Sequence, residues 1–383
     1  MKKVFKLLPL ALLLIALAAF SACSSDDDND NDGAGTGTGT GETAQESSFD
    51  IRIALVAHSP ESVLDDGSFN NGARIGIENF LSSQGASTVR GTNWEFFQPH
   101  AGSDDARIDL IEDAINAGFD VLVLPGFHFV NSLYDAQDMF PDTTFILLDA
   151  SPGRDGVVRI ENNLVAVHYA EEQSGFLAGY AAVVEGFRNL GFMGGAAVPA
   201  VVRFGHGFIQ GAEHAAYSLG LAEGDVEINF TYLGGFQSDP AIATEAGAWY
   251  AAGTEVIFAA AGAAGFSVIS AADGAGAAVI GVDVDQSGDG DVVITSAVKG
   301  LAESVQSLLQ DFLDGSFPGG QEVLFDAAVN GVGLPLQTSR FSNFTQSQYD
   351  AIFAQLANRS INVNNSLEMS DIRAQVSLVV IND

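Results

Sequence analysis

Three observations predict an α/β protein built on parallel sheets. From residue 49 onward, short β-branched runs alternate with helical stretches, the rhythm of a parallel sheet covered by helices. With 383 residues, 47% of them apolar and 17% charged, the chain can bury a substantial core and is about two domains long. Its 43 glycines against 10 prolines point to tight turns between elements, not to a Pro-rich disordered chain.

Taken in order, strands are predicted at 51–57 (IRIALVA), 121–124 (VLVL), 144–149 (TFILLD), 189–193 (NLGFM), 227–233 (EINFTYL), 256–260 (VIFAA), 278–282 (AVIGV) and 292–294 (VVI). Helical segments fall between them, among them 71–82, 106–117, 171–184 and 240–252. Strands in this rhythm make one long sheet or two doubly wound lobes. Two lobes are favoured, because neither the regular βα spacing of a barrel nor a short internal repeat is visible.

The N-terminus reads as a targeting segment. Lys2, Lys3 and Lys6 precede the apolar run 7–20, which is too short for a membrane span of about 20 residues, and Ser21 and Ala22 lead into Cys23. The pattern resembles a bacterial lipoprotein signal, which implies removal of residues 1–22 and a lipid on Cys23. Phe20 departs from it, standing where that motif usually has Leu; a plain secretory signal with an incidental cysteine is the bland alternative. Residues 23–48 then form a tether: an Asp-rich run and Gly-Thr repeats without the apolar residues that would offset ordering entropy. A lipid, a tether and a folded body imply work at a membrane surface.

Charge and cysteine content exclude several function classes. Lys plus Arg total 15 against 49 Asp plus Glu, a net charge of −34, so no cationic surface exists to bind nucleic acid. Such acidity fits a saline habitat, where a carboxylate surface stays hydrated. One cysteine allows neither an internal disulfide framework nor a Cys-based zinc site. Without residues 1–22, Lys299 is the only lysine left, which suggests a cation required at one place; a chance surface survivor is the alternative.

In open parallel sheets, ligands bind beyond the carboxyl ends of the strands. The residues at those positions are Asp66, Phe69 and Asn70 after the first strand, Asp149 after the third, and Phe236 after the strand at 227–233. Gly262, Asp283 and Lys299 follow the last three. Aromatic faces, an amide, carboxylates and one ammonium suit a flat polyhydroxylated ligand. Each also has a bland reading. Phe69 and Phe236 belong to a set of 27 Phe, Asp66 and Asn70 could cap the helix near Asn71, and Lys299 could pair with Asp283 across the cleft.

The segments DDGSFNNGARIGIENF, VLVLPGFHFVNSL, FPDTTFILLDA, EEQSGFLAGYAAV, NLGFMGGAAVPAVVRFGHGFIQGAEHA, YLGGFQSDP, VIFAAAG, VIGVDVDQ, VVITSAVKGLAESV and NGVGLPL occur in an order and spacing that resemble the basic membrane protein family. These are substrate-binding lipoproteins of ABC transporters that include purine nucleoside receptors. The resemblance implies a type I periplasmic-binding-protein fold, two Rossmann-like lobes joined by three hinge crossovers and closing on a nucleoside. It places one lobe at 49–161 with 290–320 and the other at 162–289 with 321–383, with the strands before Asp283 and Lys299 on opposite lobes. It implies that Phe69 and Phe236 stack on the base, with Phe204 as fallback, and that Asn70 meets the base edge. Asp283 and Lys299 would hold the ribose hydroxyls, and Asp149 and Gly262 make further contacts. Where the family's first strand usually ends in an aspartate that reads the base, this chain has Ala57-His58-Ser59, and an imidazole donates and accepts differently from a carboxylate.

Enzyme classes find no motif. Gly191-Phe192-Met193-Gly194-Gly195 lacks dinucleotide-binding spacing, no Gly-x-Ser-x-Gly occurs, and the run from Asp283 has Ile294 where a calcium loop needs Glu. The expectation is a non-enzymatic extracytoplasmic solute-binding lipoprotein, anchored to the cell membrane, with no cofactor and no metal. Its partners would be a nucleoside and an ABC permease. A lipid-anchored sensor or surface receptor using the same cleft is the alternative.

Overall fold

The computed structural model describes residues 49–383. The signal segment 1–22, Cys23 and the tether lie outside the described residues.

Two sheets carry the fold. The first runs, edge to edge, Gln321–Phe325, Leu164–Tyr169, Thr144–Leu148, Val121–Pro125, Ile53–Val56 and Trp94–Phe97, all parallel. The second runs Val332–Gly333, Val293–Lys299, Ala278–Asp283, Val256–Ala260, Asn189–Gly194, Val226–Tyr232 and Val379–Asn382, parallel except for its first, two-residue member. Central strands such as IALV, VLVLP and VIFAA are buried along their whole length, because helices cover both faces of each sheet. This is the two-lobed α/β architecture of type I periplasmic-binding proteins.

Strand membership corrects the expected lobe boundaries. Leu164–Tyr169, assigned above to the second lobe, extends the first sheet, where its LVAVHY run pairs with Phe145–Leu148. Gln321–Phe325 also joins the first sheet; it is a largely exposed edge strand with little apolar signal to announce it. The strand assigned to 292–294 instead runs Val293–Lys299 in the second sheet, since Thr295 and Ser296 pair with Ile280 and Gly281. Asp283 and Lys299 therefore end neighbouring strands of one lobe, not strands of opposite lobes.

The chain passes between the sheets three times, at Ala170, at Gly300 and through 326–331. Backbone hydrogen bonds tie these passages together: Ala170 N–H donates to Phe325 O at 3.1 Å and Gly300 N–H to Gly331 O at 2.8 Å. Lys299 thus sits one residue from the hinge. Helices Glu171–Glu185 and Pro199–Leu219 open the second lobe and pack backbone to backbone. A Cβ on Gly179 would lie 2.0 Å from Phe208 O and one on Gly211 1.9 Å from Phe176 O, so only glycine permits this approach. It brings Glu171, Arg203 and Phe204 to the hinge side of the cleft.

Candidate ligand-binding cleft

The carboxyl ends of the two sheets face each other across a cavity of about 650 Å³, within the range of small-molecule sites. His58, Asp66, Phe69, Asn70, Asp149 and Phe204 line it, as do Phe236, Gly262, Asp283 and Lys299, so all ten residues singled out in the sequence reach one cavity.

Their roles differ. The Asp66 carboxylate accepts from the backbone N–H groups of Ser68, Asn70 and Asn71 at 2.9, 2.9 and 3.0 Å, satisfying donors that the start of helix Phe69–Ser83 would leave orphaned. Asn70, which lines the cavity, spends its amide N–H on Val63 O at 3.0 Å. Gly262, with φ +53°, backs Phe236, and a Cβ on Gly195 would strike the Phe236 ring at 2.5 Å. Phe204 is buried and meets Phe258 edge-on at 5.8 Å, so it belongs to the core as much as to the cleft.

Lys299 is the centre of the site. Its ammonium bonds to Asp149 of the first lobe and lies 3.5 Å from Asp283 and 3.6 Å from Glu171 of the second. The rings of Phe69 and Phe204 stand 5.1 and 5.3 Å from it, within cation–π reach. Burial opposes the ammonium charge, but the carboxylates of Asp149, Asp283 and Glu171 outweigh it and hold the Lys299 pKa above its ordinary value. Burial pushes Asp283 up despite Lys299, and pushes Glu171 up to about 8, so Glu171 does not carry full charge at neutral pH. One acceptor is spare: Asp149 Oδ1 is buried with no hydrogen-bond partner. A buried carboxylate oxygen in that state is costly unless a donor reaches it.

The lobes also touch directly. Ser68 Oγ donates to Asp283 Oδ2 at 2.8 Å, and Gln286 Nε2 to Gly67 O at 3.2 Å. Gly67, at φ +60°, leaves just enough room for Phe266 of the second lobe, whose ring a Cβ would meet at 2.9 Å.

Sequence reasoning missed Glu171, Arg203 and His128, which also line the cavity. Two acids opening a helix read as partners of its dipole, not as a buried hinge group. Arg203, 3.4 Å from Glu171, looked like one arginine among several, and His128 lies inside the quoted segment VLVLPGFHFVNSL with nothing in the sequence to give it a role. Among the described residues no helix is long and apolar enough to cross a membrane, and no group of three or more His, Cys, Asp or Glu is placed to hold a metal ion.

The family model described as "ABC transporter substrate-binding protein PnrA-like" matches residues 53–367. Among curated proteins, the chain is 26% identical over 316 residues to the "ABC transporter nucleoside-binding protein BmpA" of Lactococcus lactis, covering 78% of this chain and 85% of that one. It is 29% identical over 297 residues to "Basic membrane protein B" of Borreliella burgdorferi, covering 76% and 82%. Among solved structures, an ABC transporter solute-binding protein from Conexibacter woesei superposes with a TM-score of 0.65 at 23% identity, covering 82% of this chain and 99% of that one. A second, from Aeropyrum pernix, gives 0.64 at 20% identity, covering 85% and 92%. These two likenesses establish the fold.

Proposed function

The chain belongs to the family of PnrA-like ABC transporter substrate-binding proteins, and on that premise we propose that it captures a nucleoside, first of all a purine nucleoside, between its lobes outside the cytoplasm. It then hands the nucleoside to an ABC permease. A lipid on Cys23 would hold the body near that permease through the tether.

The observation that carries the reading is the spare oxygen of Asp149 beside the Lys299 ammonium, at the point where the lobes meet. Vicinal hydroxyls of a ribose fit this arrangement: one hydroxyl donates to Asp149 Oδ1 while the Lys299 ammonium donates to a hydroxyl oxygen, and hydrogen bonds to charged partners are the stronger kind. Phe69 from the first lobe and Phe236 from the second supply ring faces for a base. Ligand held on both sides would favour the closed arrangement, which a transporter can tell from the open one.

The test is thermal stabilisation of the protein by a panel of nucleosides, free bases and sugars. A riboside at 100 times its dissociation constant should add about 2.7 kcal/mol. Stabilisation by sugars alone, with ribosides inert, would refute the proposal.

A further inference from the structure

Glu171 is a buried acid that the reading above leaves without a task. It opens the helix that follows the hinge passage at Ala170, its side chain is 1% exposed, and it lines the cleft. Two cations face it from different elements, and both stand off. Arg203, on helix Pro199–Leu219, lies 3.4 Å from Oε2, and Lys299, at the end of its strand, lies 3.6 Å from Oε1. A charged pair in full contact closes to about 2.7–2.9 Å. Among the described residues the long Arg203 contact is the only hydrogen bond to the Glu171 carboxyl. A carboxyl this buried and this loosely held favours its neutral form.

Counting donors at Lys299 gives that neutral form a consequence. An ammonium has three N–H donors and no acceptor. This one bonds Asp149 and faces Asp283 at 3.5 Å and Glu171 at 3.6 Å, three carboxyls for three donors. Its other neighbours, Phe69, Tyr169 and Phe204, offer ring faces. With all three carboxyls charged, every donor is claimed and none is left for a ribose hydroxyl. With Glu171 protonated, its claim weakens and the third donor is free for the ligand.

We infer that Glu171 is a positioning residue for the ribose anchor: it must hold a proton for Lys299 to bond the ligand, so capture of a nucleoside draws a proton from solution. The inference rests on the nucleoside reading and adds to it a coupling to pH. The charged and titratable groups facing Glu171 are Lys299, Asp149, Arg203, Glu172 and Tyr169, with Asp283 and His168 beyond Lys299. Burial, and then Asp149, raise Glu171 to about 8 against Lys299 and Arg203, so affinity should be full below pH 8 and decline as pH rises through it. Against burial, its carboxylates raise Lys299; burial raises Tyr169 and lowers His168. Lys299 therefore stays charged, and Tyr169 and His168 stay neutral, across that window. Burial also raises Glu172 and Asp283, which a Glu171 variant separates from Glu171 itself.

The test is calorimetric titration with the tightest-binding riboside of the panel, adenosine being the first choice because it does not itself titrate in this window. Affinity is measured at pH 7, 8 and 9, and enthalpy at pH 8 in buffers of different ionisation enthalpy. The wild type should bind at least about threefold more weakly at pH 9 than at pH 7, with about tenfold the limit for strict coupling to one proton. Its enthalpy at pH 8 should vary with buffer in the sense of proton uptake. Glu171→Gln, which keeps the shape of the neutral acid, should bind without uptake and with a flat profile, an outcome that a merely structural glutamate would not give. Lys299→Met should lose the uptake too, because the coupling runs through the ammonium, and it keeps the inference testable if the glutamine variant does not fold. Wild-type binding independent of pH and buffer, or uptake that persists in either folded variant, would overturn the inference and leave nucleoside capture standing. Binding of no riboside by the wild type would overturn both.

Discussion

The two walls of the cleft are built from equivalent positions and equipped differently. Asp149 directly follows a strand of the first sheet and Asp283 ends a strand of the second; both adopt the left-handed backbone, at φ 62° and 67°, and both line the cleft. Asp283 has both oxygens engaged, one taking Ser68 Oγ from the first lobe and the other lying near the ammonium of its own lobe; Asp149 takes the ammonium with one oxygen and leaves the other unpartnered. The second lobe therefore supplies the ammonium, and each aspartate takes a partner from the opposite lobe. The first supplies the unpartnered acceptor and a row of imidazoles lining the cavity.

The strongest way to break this division is to remove the ring faces that both walls share. Phe69→Ala with Phe236→Ala should cost about 1–3 kcal/mol of nucleoside affinity per ring, read by titration calorimetry. Unchanged affinity in the double variant would show that the base lies elsewhere in the cavity.

A sharper probe compares the two carboxylates. Asp149→Asn should lose about 1.5–3 kcal/mol of riboside affinity, because the lost bond is one to a charged group. Asp283→Asn should lose less affinity, while loosening the Ser68 contact and lowering the melting temperature of the ligand-free protein. Equal losses from both would erase the distinction between a ligand-facing and a lobe-joining aspartate.

The smallest expected effect is on pH dependence. Glu171, at the hinge, has its pKa raised from 4.5 to about 8, first by burial, so the folded state binds more protons than the unfolded one in that interval. Its contribution to stability is present below about pH 4.5 and is lost as pH rises through 8. His58 works in the opposite sense: burial lowers its pKa from 6.5 to about 4, so its contribution is present above 6.5 and is lost as pH falls through 4. The two oppose each other below 6.5 and Glu171 acts against little opposition above it. Denaturant titrations should show stability declining from pH 6.5 to 8, and Glu171→Gln should flatten that decline. An equal slope in the variant would assign it to another group.

Much of this arrangement was legible in the sequence, for identifiable reasons. Strands buried on both faces, such as Val121–Pro125 and Val256–Ala260, announce themselves as unbroken apolar runs. Lys299 stood out because composition had removed every other lysine after residue 6. Edge strands were not legible: Gln321–Phe325 and Val379–Asn382 are short and partly exposed, and missing Gln321–Phe325, together with Leu164–Tyr169, misplaced the lobe boundaries. Nor were Glu171 and His128, because their importance comes from what folding packs against them. The Lys299 ammonium lies 128 residues from Glu171 in sequence and 3.6 Å in space.

The central claim is that Lys299 and the spare oxygen of Asp149 together hold a ribose. Titration calorimetry with adenosine and 2′-deoxyadenosine on the wild type and Lys299→Met, each first shown to be folded by its melting curve, tests it directly. The wild type should favour the riboside, and Lys299→Met should lose about 1.5–3 kcal/mol of riboside affinity while narrowing the gap to the deoxyriboside. Identical affinities for both ligands before and after the substitution would leave Lys299 a structural partner of Asp149 and Asp283 and contradict the account.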